Sequence, residues 1–521
     1  MLSRKISIGI VIVLFFASVL GLEARSAAGD EFGTMWIASQ ESVVKIFDVV
    51  RAGDVHPPTH YVLLHYWGKL FGYSDVSMRA PSLLFALLSL FVLSKLIEIL
   101  GETTSQGDRW TVFIVCATAP FSWATAVQAR YYSLGMFLGL LSTYCYLSWR
   151  RKGGLATFVS TVLTAAILFY VHYLLAALVA FSQGAHYLST IRKRSVQEVV
   201  IWVAAQLAIV TILTPVFLWN VHRIVGEGTR LAGSDGVEGV SGVKAIPFTM
   251  LGNMYAALTG AIPFPWDFWI SAPILVVSAF VLVRGFNKGS LLINAEFMFL
   301  IVLPLTLLAI LVPTCVPIIG YFNGISRAAS LPMLLWIFMG LVIASVEKGA
   351  LRRGLLITTL ICNAYSLILL NFNLFSMIQP PPIKEIAGYI EVISSRSDST
   401  IIFHPFIHGW GDPLNRYLPK VEARALTDHD GGISLDSSES IVRTRQPRSV
   451  WIVLSNRFGK KANELANFLE RLDYRMVETR EFQEQRSYDI WFKEQLKSLD
   501  FLDLRREQSH RFILTANRYV R

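Results

Sequence analysis

The sequence predicts an all-α polytopic membrane domain of about eleven transmembrane helices, followed by a C-terminal extracytoplasmic α/β domain. Three observations carry this. The 521 residues are 53% hydrophobic and only 16% charged, with a mean hydropathy of +0.49, whereas soluble chains average about 25% charged residues. Apolar runs of about 20 residues, the length that crosses a bilayer core as a helix, recur along the first 378 positions with short basic clusters between them. From Gln379-Pro380-Pro381-Pro382 onward the apolar runs stop and charged residues become frequent.

The apolar runs place candidate spans near 6–24, 80–100, 109–126, 131–149, 155–171, 173–190, 198–219, 268–283, 294–312, 328–346 and 355–374. The stretch Leu155–Leu188 also reads as one long kinked hairpin, and Pro247–Pro265 as a re-entrant or interfacial helix. The first span, followed by Ser26-Ala27-Ala28, resembles a signal peptide; we read it as an uncleaved anchor.

Charge gives the orientation. With Arg4 and Lys5 inside, the clusters Arg150-Arg151-Lys152, Arg192-Lys193-Arg194, Arg284 with Lys288, and Lys348 with Arg352-Arg353 all fall inside as well, as the positive-inside rule requires. The outer segments are then 25–79, the turn at 127–131, 220–267, 313–327 and everything after 375. This distribution also disposes of nucleic acid as a partner: the formal charge of +10 is spread over cytoplasmic loops and forms no single basic face. Cys116, Cys145, Cys315 and Cys362 lie in or beside apolar runs and read as small hydrophobes without metal-ligand spacing.

The membrane domain is therefore assigned to residues 1–378, with 25–79 as its first outer loop, and the extracytoplasmic domain to 379–521. In the latter, Thr400–Phe403 and Ser449–Leu454 read as short buried strands. Lys384–Ser394 and Lys461–Leu472 read as amphipathic helices. His404, His408, Asp412, His429 and Asp430 have no spacing that defines a metal site.

The first outer loop gathers the polar residues. Asp30-Glu31 follow the first span directly. Residues 36–50 and 57–72 have a helical period that suits helices lying in the membrane interface, and Gly53-Asp54-Val55-His56-Pro57-Pro58 forms the turn between them. On the same side, Arg130 stands within Gln128-Ala129-Arg130-Tyr131-Tyr132, and Arg327 within Ser326-Arg327-Ala328. A carboxylate at headgroup level suits the activation of an acceptor hydroxyl. An arginine there suits a phosphate, which its planar fork pairs bidentately.

In order along the chain, Asp30-Glu31, Asp54-Val55-His56-Pro57-Pro58, Ser77-Met78-Arg79-Ala80-Pro81-Ser82 and Arg130-Tyr131-Tyr132 resemble the motifs of GT-C-fold membrane glycosyltransferases. The likeness is closest to the protein O-mannosyltransferase and aminoarabinose transferase group. In that group an acidic pair follows the first helix, and a His-Pro-Pro-Leu or Lys-Pro-Pro-Leu sequence heads an interfacial helix. An Arg-Leu-Pro-Ser-like motif then opens the second span. Here Thr59, Ala80 and Gln128 depart from the group's pattern, with Gln128 standing where an acidic residue is usual.

The resemblance implies inverting transfer of a sugar from a polyprenyl-phosphate donor, used as co-substrate without a further cofactor or metal. The acceptor would be a protein, a glycolipid or an envelope polysaccharide outside the cytoplasm. By the same carry-over Asp30 is the catalytic base, and Glu31 its neighbour in the same role or holding the acceptor. Asp54, His56 and Tyr131 line the site, and Arg130 and Arg327 hold phosphate. The expected location is a bacterial inner membrane with the site on the periplasmic side, and membrane lipids as partners.

Each residue also has a plainer reading. Asp30 and Glu31 suit a solvated helix end, Asp54 the N-cap of the following helix and His56 the support of the Pro turn. Arg79 reads as an anchor between helices, His172-Tyr173 as packing at the outer end of a span, and Lys69 as a snorkelling side chain. The rival function classes are a transporter of lipid-linked sugars, which would need ionisable groups or broken helices at the bilayer midplane, and an inactive member serving as a scaffold.

Overall fold

The computed structural model describes residues 4–23, 27, 29–54, 56–100, 105–232, 276, 280, 296, 298–307, 332–371, 383–394, 400–404, 413–418, 421–425, 435–455, 459–483 and 513–521. The chain forms two compact units, Met1–Leu22 with Gln40–Phe372, and Glu23–Ser39 with Asn373–Arg521.

The first unit is helical. Its elements are α1 (Arg4–Gly21), α3 (Val43–Gly53), α4 (Thr59–Phe71), α5 (Asp75–Leu100), α6 (Gln106–Ala117), α7 (Pro120–Ala126), α8 (Tyr132–Lys152), α9 (Leu155–Val171), α10 (Tyr173–Ser189) and α11 (Val196–Ala232). After a π-helical turn at Met298–Val302 come α12 (Pro332–Ser345) and α13 (Ala350–Asn371). Among the described residues, Asp75–Leu100 and Val196–Pro215 are each long and apolar enough to cross a bilayer alone, with shorter apolar helices at Ile8–Gly21, Leu155–Val171, Met298–Leu307 and Trp336–Ser345.

What these helices turn outward fits lipid. Leu155, Val159, Leu163 and Ile167 form an exposed stripe along α9, and Val196, Val200, Val203, Leu207 and Val210 one along α11. Aliphatic stripes this long facing water would cost the unit its solubility; facing acyl chains they cost nothing.

Several expected boundaries are corrected. The expected span 109–126 is two helices, because Pro120 starts α7 and has no N–H to continue α6. Polar groups close the break: Trp123 Nε1 donates to the Ala117 carbonyl at 2.7 Å, and Asn363 Nδ2 to Thr118 Oγ1 at 3.0 Å. The expected helix over 36–50 is also two helices, since Ser42 caps α3 by accepting the Lys45 N–H. The span expected at 198–219 runs on to Ala232. The expected spans 155–171 and 173–190 stand as α9 and α10, divided at His172, whose extended backbone ends α9 and whose Nδ1 accepts the Leu175 N–H at the start of α10. The expected span 268–283 and the segment Pro247–Pro265 lie outside the described residues, apart from single positions.

The second unit contains α2 (Gly29–Ala38), α14 (Ile383–Ser394), β1 (Thr400–His404), α15 (Pro413–Tyr417), β2 (Glu422–Ala425), α16 (Leu435–Arg445), β3 (Ser449–Ser455), α17 (Gly459–Arg471), β4 (Arg475–Gln483) and β5 (Ile513–Val520). The strands form one sheet in the order β2-β1-β3-β5-β4. β1 runs parallel to β2 and β3, while β5 runs antiparallel to β3 and β4.

Strand alternation divides the core of this unit. Ile402, Trp451 and Val453 pack with Ile383, Ile386 and Ile390 of α14. Ile401, Phe403, Val450 and Ile452 pack with Val442 of α16 and Leu465, Phe468 and Leu469 of α17. The result is helix, sheet and helix in three layers. Residues 23–39 belong here through the Ala27 N–H donating to the Tyr417 hydroxyl at 2.7 Å and Lys384 Nζ to the Glu23 carbonyl at 3.2 Å.

Candidate functional site

The turn after α3 is built by Asp54. Its backbone N–H closes α3 on the Val50 carbonyl, and its Oδ1 accepts the His56 N–H at 2.9 Å, an Asx turn that leads into Pro57-Pro58. The N-cap of α4 is Pro58, without a side-chain bond, so the plainer reading of Asp54 as that helix's cap does not hold. The carboxylate is turned to other work. Oδ1 also receives His56 Nδ1 at 2.7 Å, and Oδ2 receives the Tyr61 hydroxyl, one turn into α4, at 2.5 Å.

Burial by itself pushes the Asp54 carboxyl up. The adjacent His56 charge and the bonds from the His56 ring, the Tyr61 hydroxyl and the His56 N–H outweigh it and hold the group well below the usual carboxylate range. Asp54 is thus ionised, and His56 must carry its proton on Nδ1 to satisfy it. That leaves Nε2, which lies 2.9 Å from the Tyr131 hydroxyl, 75 positions away in sequence. Asp54, His56 and Tyr131 form a continuous chain of hydrogen bonds.

Arg130 stands beside this chain. It is 6% exposed, and its guanidinium carbon lies 4.9 Å from the centre of the Tyr131 ring and 5.6 Å from that of Tyr132, within cation–π range. Ser82, from the Pro81-Ser82 motif of α5, donates to the Arg130 carbonyl at 3.3 Å and ties the turn before α8 to α5. His172 brings its ring to 5.0 Å from Tyr131 and 6.0 Å from His56. His60 stands edge-on to Tyr131 at 6.4 Å. Burial first, and then the Arg130 charge, lower His60 to about 3, so it is neutral at physiological pH; burial and the His56 and Arg130 charges lower His172 in the same direction.

The structure therefore brings together Asp54, His56, Arg130 and Tyr131 of the expected site. Asp30 and Glu31 are in the second unit, in the first turn of α2, where carboxylates are favoured by the helix dipole; Asp30 is exposed and Glu31 half-buried. Arg327 lies outside the described residues. Arg79 is fully buried and donates to the Leu22 carbonyl at 2.6 Å, joining α5 to the end of α1, as the anchor reading expects. His404 is buried at the end of β1, and His408, Asp412, His429 and Asp430 lie outside the described residues.

The sequence does not mark His60 or Tyr61 as site residues, and His172 reads there as packing. Their only sequence signal is place: Tyr61 sits on the apolar face of the helix that His56-Pro57-Pro58 opens, and His172 at the outer end of a span.

These features define a class: a helical membrane protein with an ionised, hydrogen-bonded carboxylate–imidazole–phenol chain and an arginine beside it. No protein-family model and no curated protein matches the sequence. Among solved structures the chain is similar to ArnT from Cupriavidus metallidurans bound to undecaprenyl phosphate, at 12% identity over 98% of this chain and 97% of that one, with a TM-score of 0.48. It is similar to the apo state of the same protein at 11% identity, the same coverage and a TM-score of 0.46. The arabinofuranosyltransferase AftD from Mycobacteria is 15% identical over 87% of this chain and 37% of that one, with a TM-score of 0.39.

Proposed function

We propose that this protein is a membrane glycosyltransferase that moves a sugar from a polyprenyl-phosphate donor to a hydroxyl acceptor on the extracytoplasmic side, in a bacterial cell the periplasmic side of the inner membrane. One observation carries the reading. Asp54-His56, Ser82 and Arg130-Tyr131, which belong to three of the motifs read from the sequence, converge on one cluster within the first unit. Arg130, with Tyr131 beside it, is the group suited to a phosphate, since a partly desolvated guanidinium stabilises charge far better than one in water. Asp30 is proposed as the base for the acceptor hydroxyl, with Glu31 as its neighbour; that role rests on the sequence motif. The sugar leaves with inversion as the acceptor oxygen attacks its anomeric carbon.

The test is transfer in isolated membranes supplied with radiolabelled polyprenyl-phosphate sugars. Wild-type membranes are expected to move label into protein, glycolipid or polysaccharide. Arg130→Ala and Asp30→Asn, at unchanged expression, are expected to lose this by a hundredfold or more, on the order of what one oxyanion-type contact or general base supplies. A wild type inert towards every donor would overturn the reading in favour of a transporter or scaffold.

A further inference from the structure

We propose that Asp54, His56 and Tyr131 are a proton relay to the leaving phosphate, with His56 as the proton store and Tyr131 as the group that hands the proton over. The inference rests on the glycosyltransferase reading above and adds a second proton path, distinct from the base that acts on the acceptor.

The geometry restricts what each group can do. Asp54 accepts three hydrogen bonds, two from His56 and one from Tyr61, so it cannot donate and keeps the proton of His56 on Nδ1. Only Nε2 of His56 is then free to gain and lose a proton, and its partner is the Tyr131 hydroxyl at 2.9 Å. With His56 neutral, Tyr131 donates inward to Nε2. With His56 protonated, Nε2–H donates to the Tyr131 oxygen, and the phenol proton is turned away from His56. Protonation of one imidazole thus switches Tyr131 from acceptor to donor on its far side.

The surroundings favour His56 as the store. From α4, His60 and Tyr61 face the cluster; from the turn before α8, Arg130; from α8, Tyr132; from the α9–α10 junction, His172. His60 and His172 are held neutral, Tyr61 is committed to Asp54, and Arg130 keeps its charge at every physiological pH. Of His56, His60 and His172, His56 is the one bonded to a carboxylate, which stabilises its cation. Arg130, over the Tyr131 ring, attracts an anion to the residue that ends the relay.

The donor is a phosphodiester with one negative charge. As the bond between the anomeric carbon and the phosphate oxygen breaks, its electron pair stays on that oxygen and the lipid phosphate gains a second charge. The Tyr131 proton passes to a phosphate oxygen while the Nε2 proton of His56 passes to Tyr131. The products on this side are a singly charged lipid phosphate and neutral His56. A phosphate monoester takes its second proton near pH 6, so the departing lipid phosphate is basic enough to accept one. His56 is then reprotonated from water while the lipid phosphate is still bound, so that binding takes up a proton, and Asp54 and Tyr61 act as positioning residues.

The experiment compares wild type, Tyr131→Phe and His56→Gln as full-length protein in detergent micelles. Two things are read: the pH profile of sugar transfer, and proton uptake when a short-chain polyprenyl phosphate binds, from calorimetry in buffers of different ionisation heat. Wild type is expected to lose rate as the pH rises, because the relay then stands without its proton, and to take up protons on binding. Both variants are expected to be slower by about ten- to a hundredfold, the value of a hydrogen bond to a charged group, and to lack the wild-type fall with pH. His56→Gln is expected to bind without proton uptake. A variant that is slower at every pH but keeps the wild-type profile and proton uptake would assign these residues to packing and overturn the relay. Transfer with the same outcome in all three proteins would overturn it while leaving the functional reading in place. A wild type that neither transfers sugar nor binds the lipid phosphate would overturn both.

Discussion

The indole Nε1–H of Trp67 donates to the carbonyl of Ser77 at 2.9 Å, and that carbonyl is the one Pro81, four residues on in α5, leaves without a helical donor. The proline of the Arg79-Ala80-Pro81-Ser82 motif is thus accommodated by a side chain from α4. Trp67→Phe should destabilise the first unit by about 1 kcal/mol, the value of a hydrogen bond to a part-buried carbonyl. Pro81→Ala in the Trp67→Phe background should recover part of the loss, because an alanine N–H can take the Ser77 carbonyl. Thermal unfolding of both variants in detergent would check this, and an absent recovery would show that the indole acts through packing alone.

Arg352 of α13 meets Asp108 of α6 at 2.5 Å, where Ser105 caps the helix and donates to the same carboxylate. Both partners are largely screened from water. Asp108→Ala should cost about 3 kcal/mol, since it leaves the buried Arg352 charge without its carboxylate, and Arg352→Ala less, since Asp108 is half-buried and keeps Ser105. The double variant should cost less than the sum. Strict additivity in a double-mutant cycle would mean that the pair contributes nothing as a pair.

Gly340 of α12 lies against the backbone of α6. A Cβ there would stand 2.8 Å from the Val112 Cα and 3.2 Å from its carbonyl oxygen, and backbone atoms cannot rotate away. Gly340→Ala should therefore lower stability by about 1–3 kcal/mol through overpacking, and Val112→Ala should not rescue it. Stability measured on the single and double variants decides the point.

His60 is buried and lowered to about 3, so the unfolded chain binds a proton there more readily than the folded one. Its contribution to stability is complete above about pH 6.5, the ordinary histidine value, and is lost progressively as the pH falls towards 3. At pH 5 the loss is about 2 kcal/mol for this one group. His60→Phe, which cannot be protonated, should flatten the fall in unfolding temperature between pH 7 and pH 5. An unchanged slope would assign the acid sensitivity to other groups.

Legibility from the sequence followed the range of the interactions. Lys384–Ser394 and Thr400–Phe403 were readable because their apolar positions repeat with the period of a helix or a strand, and the structure has α14 and β1 within a residue of those limits. β5 was not readable. Thr515, Asn517 and Arg518 dilute its apolar signal, and it is a strand because β3 and β4 bond it on both sides. The break between α6 and α7 is masked in the sequence although Pro120 marks it, since hydropathy runs on unbroken through Thr118 and Ala119.

The sequence by itself determined that this is a membrane protein, where most of its helices run, and that Asp54, His56, Arg130 and Tyr131 are chemically conspicuous. Those properties are local: hydropathy, charge and spacing act within one or two helical turns. Only the tertiary structure decided that Asp54 serves His56 instead of capping α4, that His56 reaches Tyr131 across 75 positions, and that residues 23–39 belong with the second unit. Each of those depends on contacts between segments distant in sequence, where the partner is chosen by packing of whole helices and leaves no periodic trace in the residues themselves.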